Sequence, residues 1–266
     1  MISETAAADQ ETAPGNTSAA GEEFLEITNH AGLDYLSALA AFHRRVQPNT
    51  YFEIGTLAGA TLALSNCASV AVDPKFVIDQ NVVGAKPSCH LFQMTSDDFF
   101  ARHDPKAMLG APIGLAFLDG MHLFEYLLRD FMNTEANCAA NSLILMHDCL
   151  PTDSHVGRRD WQDQRFAERT KTPKWWAGDV WKAAFILLDR RPDLEIYGLN
   201  SPPTGLIAIT HLDPGSRTLT RHYDEIVREY ESIELHSSVH SYLQRIKMID
   251  TVEFIESERV AKLCRA

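Results

Sequence analysis

Short, mainly apolar runs recur through the first half of the chain: Tyr51–Gly55, Ser69–Asp73, Cys89–Met94, Ile113–Asp119 and Ser142–Asp148. Each is bounded by turn or helix residues, as strands buried on both faces of a parallel sheet are. Helical patterns fit between them at Ala60–Asn66, Asp97–Ala101 and Leu123–Cys138, and Val180–Asp189 follows, closed by Arg190-Arg191-Pro192. Leu33, Tyr35, Leu36, Leu39 and Phe42 lie at helical spacing and predict a helix ahead of the first strand. Leu194–Leu199 and Gly205–Thr210 read as a terminal antiparallel pair, turned at Ser201-Pro202-Pro203. The alternation, with right-handed crossovers, predicts an α/β protein: a doubly wound, Rossmann-like sheet with helices on both faces.

Three segments follow from this pattern. Residues 1–22 are rich in Ala, Thr, Glu, Ser and Gly and lack Lys and Arg, which predicts a disordered acidic tail. Residues 23–215 hold the α/β domain, and residues 216–266 read as a helical C-terminal extension. A net charge of −12 argues against a nucleic-acid partner, and no apolar run is long enough for a membrane span. The one basic stretch, Arg158 to Lys174, is interrupted by Asp160, Asp163 and Glu168. Five cysteines, at 67, 89, 138, 149 and 264, show no C-x-x-C spacing. That odd set and the absence of a signal-peptide pattern predict a reducing, cytoplasmic setting.

The chemistry concentrates at strand ends. The first run ends Glu53-Ile-Gly55, continues Thr56-Leu-Ala-Gly59-Ala-Thr61, and the second run ends at Asp73. A glycine turn followed by a helix, with an acid on the next strand tip, suits a nucleoside-containing cofactor. The glycines admit close backbone approach, the helix N-terminus offers free N–H groups, and the acid accepts from ribose hydroxyls. A dinucleotide fingerprint would need G-x-G-x-x-G, and a P-loop would need a lysine; neither is present. Glu-x-Gly-x-x-x-Gly-x-Thr with a following Asp resembles the S-adenosylmethionine site of class I methyltransferases.

The fourth and fifth runs end Asp119-Gly120-Met-His122 and His147-Asp148. In open α/β sheets ligands sit beyond the carboxyl ends of the strands, so these groups are predicted to meet at one rim. Two carboxylates on neighbouring tips can share a hard divalent cation. An imidazole with an ordinary pKa near ~6.5 suits proton abstraction, which makes His122 a candidate base. On residue type His147 is open between ligand, orienter and satisfied rim histidine. Either acid could instead cap a helix.

Asp-Gly-x-His, a helix carrying Asp130, and a strand ending His-Asp together resemble a bacterial small-molecule O-methyltransferase subgroup. It is the one related to macrolide-sugar methyltransferases and cephalosporin-hydroxylase-like proteins. The likeness spans about residues 50–210. It implies a seven-stranded methyltransferase sheet with its last pair antiparallel. It further implies a cofactor site of Glu53, Gly55, Thr56, Gly59, Thr61, Asp73, Ser96 and Asp119, and His122 as the base. Metal-dependent relatives place Mg²⁺ or Mn²⁺ at positions that correspond to Asp119, His147 and Asp148. They have Asp-Asp or Asp-Asn where this chain has His147-Asp148.

Residues 151–178 make a long strand-to-helix connection that holds Arg158, Arg159, Trp161, Trp175 and Trp176. Such loops serve as lids or binding loops, with aromatic faces for rings and Arg for carboxylate or phosphate. The tryptophans could equally pack against the domain or a second subunit, and a homo-oligomer is expected. Asp179 reads as an N-cap for the next helix. The expected activity is methyl transfer from S-adenosylmethionine to a hydroxylated small molecule, a sugar or glycosylated metabolite for example. The alternatives are a nicotinamide-dependent oxidoreductase and a catalytically degenerate binding protein on the same fold.

Overall fold

Eight strands form one sheet in the order β3-β2-β1-β4-β5-β7-β6-β8 in the computed structural model, which describes residues 23–263. They are β1 (Thr50–Ile54), β2 (Ala68–Val72), β3 (Cys89–Phe92), β4 (Ile113–Leu118), β5 (Cys138–His147), β6 (Glu195–Leu199), β7 (Leu206–Thr210) and β8 (Lys247–Ile249). The first five are parallel, and β7 runs antiparallel to both β5 and β6. This is the doubly wound α/β sheet that the sequence predicts, with an eighth strand added. The expected tail, residues 1–22, lies outside the described residues.

The helices are α1 (Tyr35–Val46), α2 (Ser96–Arg102), α3 (Pro105–Leu109), α4 (Phe124–Glu135), α5 (Trp181–Arg190), α6 (Thr218–Glu231), α7 (Leu235–Arg245) and α8 (Thr251–Glu256). None of the described helices is long and apolar enough to cross a membrane. Side chains alternate across the sheet, so each central strand feeds two cores. Phe52, Ala116, Leu118, Ile144 and Met146 join Phe131 of α4, Trp181 of α5 and Tyr242 of α7. Tyr51, Leu115, Phe117, Leu143 and Leu145 join Leu39 and Phe42 of α1 and Phe254 of α8.

Two departures from the predicted elements bear on the site. The helix expected at Ala60–Asn66 is a single 3₁₀ turn, Leu62–Leu64. The chain must return along a five-residue strand, about 16 Å, between Gly59 and β2. Eight residues of α-helix rise only about 12 Å, so the segment runs partly extended instead. The helix N-terminus proposed to face the cofactor is therefore absent. The 216–266 segment is not purely helical: it supplies β8, parallel to β6, and α8, whose Phe254 ring lies 6.1 Å from that of Phe42. At the C-terminal ends of α4 and α5, Arg191 is buried and forms a two-pronged ion pair with buried Glu135, at 2.6 and 2.7 Å.

Candidate functional site

The glycine turn leaves β1 against the tip of β4. Gly55 has φ +86°, and a Cβ there would lie 1.8 Å from the Asp119 carbonyl oxygen, so only glycine fits. Asp73 holds the turn through backbone N–H groups: Leu57 donates to Oδ2 at 2.8 Å and Lys75 to Oδ1 at 2.6 Å. Each carboxylate oxygen retains capacity for a second donor. The segment after β2 pairs with the turn, Val77 N–H donating to Leu57 and Asp79 N–H to Ala58, and Val82 covers Gly59.

Glu53 is fully buried beneath this turn. Burial raises its carboxyl to about 7, with the Tyr51 hydroxyl, which donates to Oε2 at 2.5 Å, pulling the other way. The hydroxyls of Thr56 and Thr61 lie near the same carboxylate. Glu53 Oε1 and Thr56 Oγ1 have no hydrogen bond of normal geometry. Ser96 opens α2, and its hydroxyl faces buried Asp130, whose carboxyl burial raises to about 7.

Asp119, His122, His147 and Asp148 do meet. His122 Nε2 lies 3.2 Å from Asp148 Oδ2 and 3.7 Å from Asp119 Oδ1. His147 Nδ1 lies 3.2 Å from Asp119 Oδ1 and 3.5 Å from Asp148 Oδ1. Asp148 leaves the strand with φ +61° and accepts a hydrogen bond from Thr204. Neither acid serves as a helix cap. Asp179 does, but for α4: its Oδ1 accepts from Phe124 N–H at 3.1 Å, whereas α5 has no side-chain cap.

The roles of the two histidines are set by what else each touches. His122 Nδ1 lies 2.6 Å from the Trp176 carbonyl oxygen, which can only accept, so Nδ1 carries a hydrogen. A neutral His122 would then aim the Nε2 lone pair at two carboxylates, an arrangement that calls for a proton or a cation between them. Burial lowers the His122 pKa, but Asp119 and Asp148 outweigh it and lift the ring to about 9. Asp148 is held well below the usual carboxylate range: burial opposes this, and the neighbouring imidazoles prevail.

Donor atoms of Asp119, His122 and Asp148 all lie within 4.8 Å of one another. This set has His122 where the sequence reading placed His147. His147 still pairs with Leu206 in the ladder, so its ring turns to the α1 side and packs 4.6 Å from Tyr35. Two carboxylates and an imidazole, whose far nitrogen is fixed by a backbone carbonyl, fit an oxygen-preferring divalent ion.

The 151–178 connection closes over the cluster. Trp176 packs 5.3 Å from His122 and its indole donates to the Arg158 carbonyl at 2.8 Å. Trp161 and Trp175 are exposed. Arg159 is committed to Glu125 and Asp179. Sequence reasoning missed Thr204 and the Trp176 carbonyl. Thr204 stood only in a turn, and nothing local shows that antiparallel β7 returns it beside β5.

No protein-family model and no curated sequence matches this chain. The structure is similar to that of the O-methyltransferase TomG from Streptomyces achromogenes, involved in tomaymycin synthesis and solved with SAM. The identity is 12%, coverage 66% of this chain and 78% of that one, and the TM-score 0.45. An O-methyltransferase from Bacillus cereus, with SAH, gives 11% identity, coverage of 69% and 84%, and a TM-score of 0.45. MycE, the mycinamycin-pathway methyltransferase solved with Mg, SAH and mycinamycin VI, gives 12%, 65% and 47%, and 0.37. Likeness at this distance assigns no activity.

Proposed function

We propose that the protein is an S-adenosylmethionine-dependent O-methyltransferase acting on a hydroxylated small molecule, with a divalent cation held by Asp119, His122 and Asp148. The observation that carries this reading is one contact: the Gly55 turn lies directly against Asp119. A cofactor seated on that turn and an acceptor at the acidic cluster would be neighbours, and positioning two reactants is the main demand of methyl transfer. The cofactor fit rests on the turn itself: Gly55 admits close backbone approach, and both carboxylate oxygens of Asp73 keep acceptor capacity. Ribose hydroxyls are the complementary donors. The acidic surroundings also suit a sulfonium.

When bound, S-adenosylmethionine supplies an electrophilic methyl group and a divalent cation lowers the pKa of an acceptor hydroxyl. The chain's own residues do the rest. Asp119 and Asp148 present acceptor oxygens, and Thr204 fixes Asp148. The Trp176 carbonyl fixes the His122 tautomer. With its Nε2 turned to the carboxylates, His122 works as a ligand or charge partner, so the proton leaves to a carboxylate or to water. The exposed rings of Trp161 and Trp175 are the surfaces offered to an acceptor.

Calorimetry with S-adenosylmethionine tests the reading, followed by methyl-transfer assays against hydroxylated acceptors with Mg²⁺ or Mn²⁺ and after EDTA. Cofactor binding and EDTA-sensitive transfer are expected. No heat at millimolar cofactor would overturn the assignment and favour a binding protein on this fold.

A further inference from the structure

His147 is the member of the rim cluster that the proposed cation set leaves out. Its backbone is fixed in the sheet, where it pairs with Leu206 of β7, and the residue is buried. Its ring lies 4.6 Å from that of Tyr35 and 5.9 Å from that of Phe117, so two aromatic side chains hold it in place. Nδ1 lies 3.2 Å from Asp119 Oδ1 and 3.5 Å from Asp148 Oδ1. Ionised carboxylates only accept, so Nδ1 carries a hydrogen that the two acids share. Nε2 is buried and makes no hydrogen bond to the described residues. An apolar side chain would fill this position without leaving a buried nitrogen unpaired, so packing alone does not call for an imidazole. The two contacts through Nδ1 do.

Both acids need such a tie. Asp148 sits at φ +61°, a conformation that its surroundings must hold. Thr204 and His147 both engage its Oδ1, while Oδ2 faces His122 at 3.2 Å. Asp119 brings a second carboxylate to the same rim, and without a donor between them the two like charges would push the side chains apart. The turn that supplies Thr204 also anchors Tyr35. The Tyr35 N–H donates to the Pro202 carbonyl at 3.0 Å, and the Ser201 hydroxyl donates to the Leu33 carbonyl at 2.5 Å. One short turn therefore holds Asp148 directly and, through Tyr35, the imidazole that bridges it to Asp119.

We propose that His147 is a positioning residue: its Nδ1–H bridges Asp119 and Asp148 and sets their spacing for a divalent cation, with Tyr35 keeping the imidazole in place. The proposal rests on the cation part of the function proposed above and not on the cofactor or the acceptor. His147 touches neither cation nor substrate and acts only through the two acids. Its effect is read as affinity, because acids already in place need no ordering when a cation arrives.

The test is calorimetric titration of the cofactor-free, full-length protein with Mn²⁺, with the imidazole N–H resonances recorded before metal is added. His147→Leu fills the position but donates nothing, and should weaken Mn²⁺ binding about tenfold or more. His147→Asn returns an N–H donor near the place of Nδ1, and should bind about three- to tenfold more tightly than the leucine variant, the equivalent of one hydrogen bond. A packing role predicts the opposite order, because the amide is smaller than leucine and polar. Tyr35→Leu should weaken binding less than His147→Leu does. In metal-free wild type the His147 N–H signal, identified by its loss in either His147 variant, should move in both Asp119→Asn and Asp148→Asn. Mn²⁺ affinity unchanged in His147→Leu, an asparagine variant no better than the leucine one, or an N–H signal indifferent to either acid overturns the proposal. Wild type that binds no Mn²⁺ overturns the cation reading itself, and this proposal with it.

Discussion

The charge on His122 should make the metal-free protein lose stability as the solution becomes alkaline. Its ring titrates at about 9 in the folded chain against an ordinary 6.5. A folded pKa raised above the unfolded one means that the folded state holds the proton more tightly. The contribution is therefore complete below pH 6.5 and is lost as pH rises through about 9. A rise of about two and a half units, at about 1.4 kcal/mol per unit, sets a ceiling near 3 kcal/mol. The side chain is 27% exposed, and solvent screening trims that figure. The assay is urea denaturation in EDTA across this range for wild type and His122→Gln. Differencing the two removes Glu53 and Asp130, which titrate near 7 in both. Wild type should lose about 2–3 kcal/mol more than the variant. With saturating Mn²⁺ the difference should shrink, because a cation on Asp119 and Asp148 displaces the same proton. Parallel slopes for the two proteins in EDTA would refute the assignment of His122 as the charge partner of these acids.

Asp130→Asn should be neutral near pH 4 and more stable than wild type above pH 7, by up to ~4 kcal/mol, because burial raises this carboxyl from 3.8 to about 7; thermal melts at both extremes decide it. Arg191→Met should cost about 3–5 kcal/mol by leaving Glu135 charged and buried, and pairing it with Glu135→Leu should recover most of the loss in urea melts. Gly178→Ala should lower stability by more than about 2 kcal/mol and weaken Mn²⁺ binding, since φ is +63° and the added Cβ would sit 1.7 Å from the His122 carbonyl oxygen; an unchanged melt would show that the strap yields easily.

Buried parallel strands were legible because their apolar runs are a local property. The predicted bounds of β1, β2 and β4 agree with the structure within one residue. The turn at Leu62–Leu64 was misread because Ala and Leu favour helix locally, while the distance back to β2 is a constraint of the whole sheet. Strand β8 was invisible for the opposite reason. Lys247–Ile249 is three residues long and carries no burial pattern, and it becomes a strand only by pairing with β6. Asp179 has N-cap chemistry before a helical run, yet its carboxylate serves the helix that packs beside it.

The rim itself was legible in outline, since polar residues at the carboxyl ends of adjacent parallel strands must converge. The division of labour within it was not. Consecutive residues of a strand face opposite sides of the sheet, so His147 and Asp148 cannot both reach the rim unless one leaves the ladder. Asp148 does so through its positive φ, and His147, on the side of Leu143 and Leu145, is left beneath Tyr35. Its Nδ1 still reaches Asp119 at 3.2 Å, and His122, from the turn after β4, approaches the same acids from the other side, held by the Trp176 carbonyl more than fifty residues away. Charge then explains why both histidines remain. Asp119 and Asp148 bring two negative charges to a partly buried rim, and both imidazoles are pushed towards their protonated forms there. A divalent cation with two neutral imidazoles carries the same net charge in the same place. The cation proposed for this cluster would therefore compete with those protons, and its binding would strengthen as pH rises.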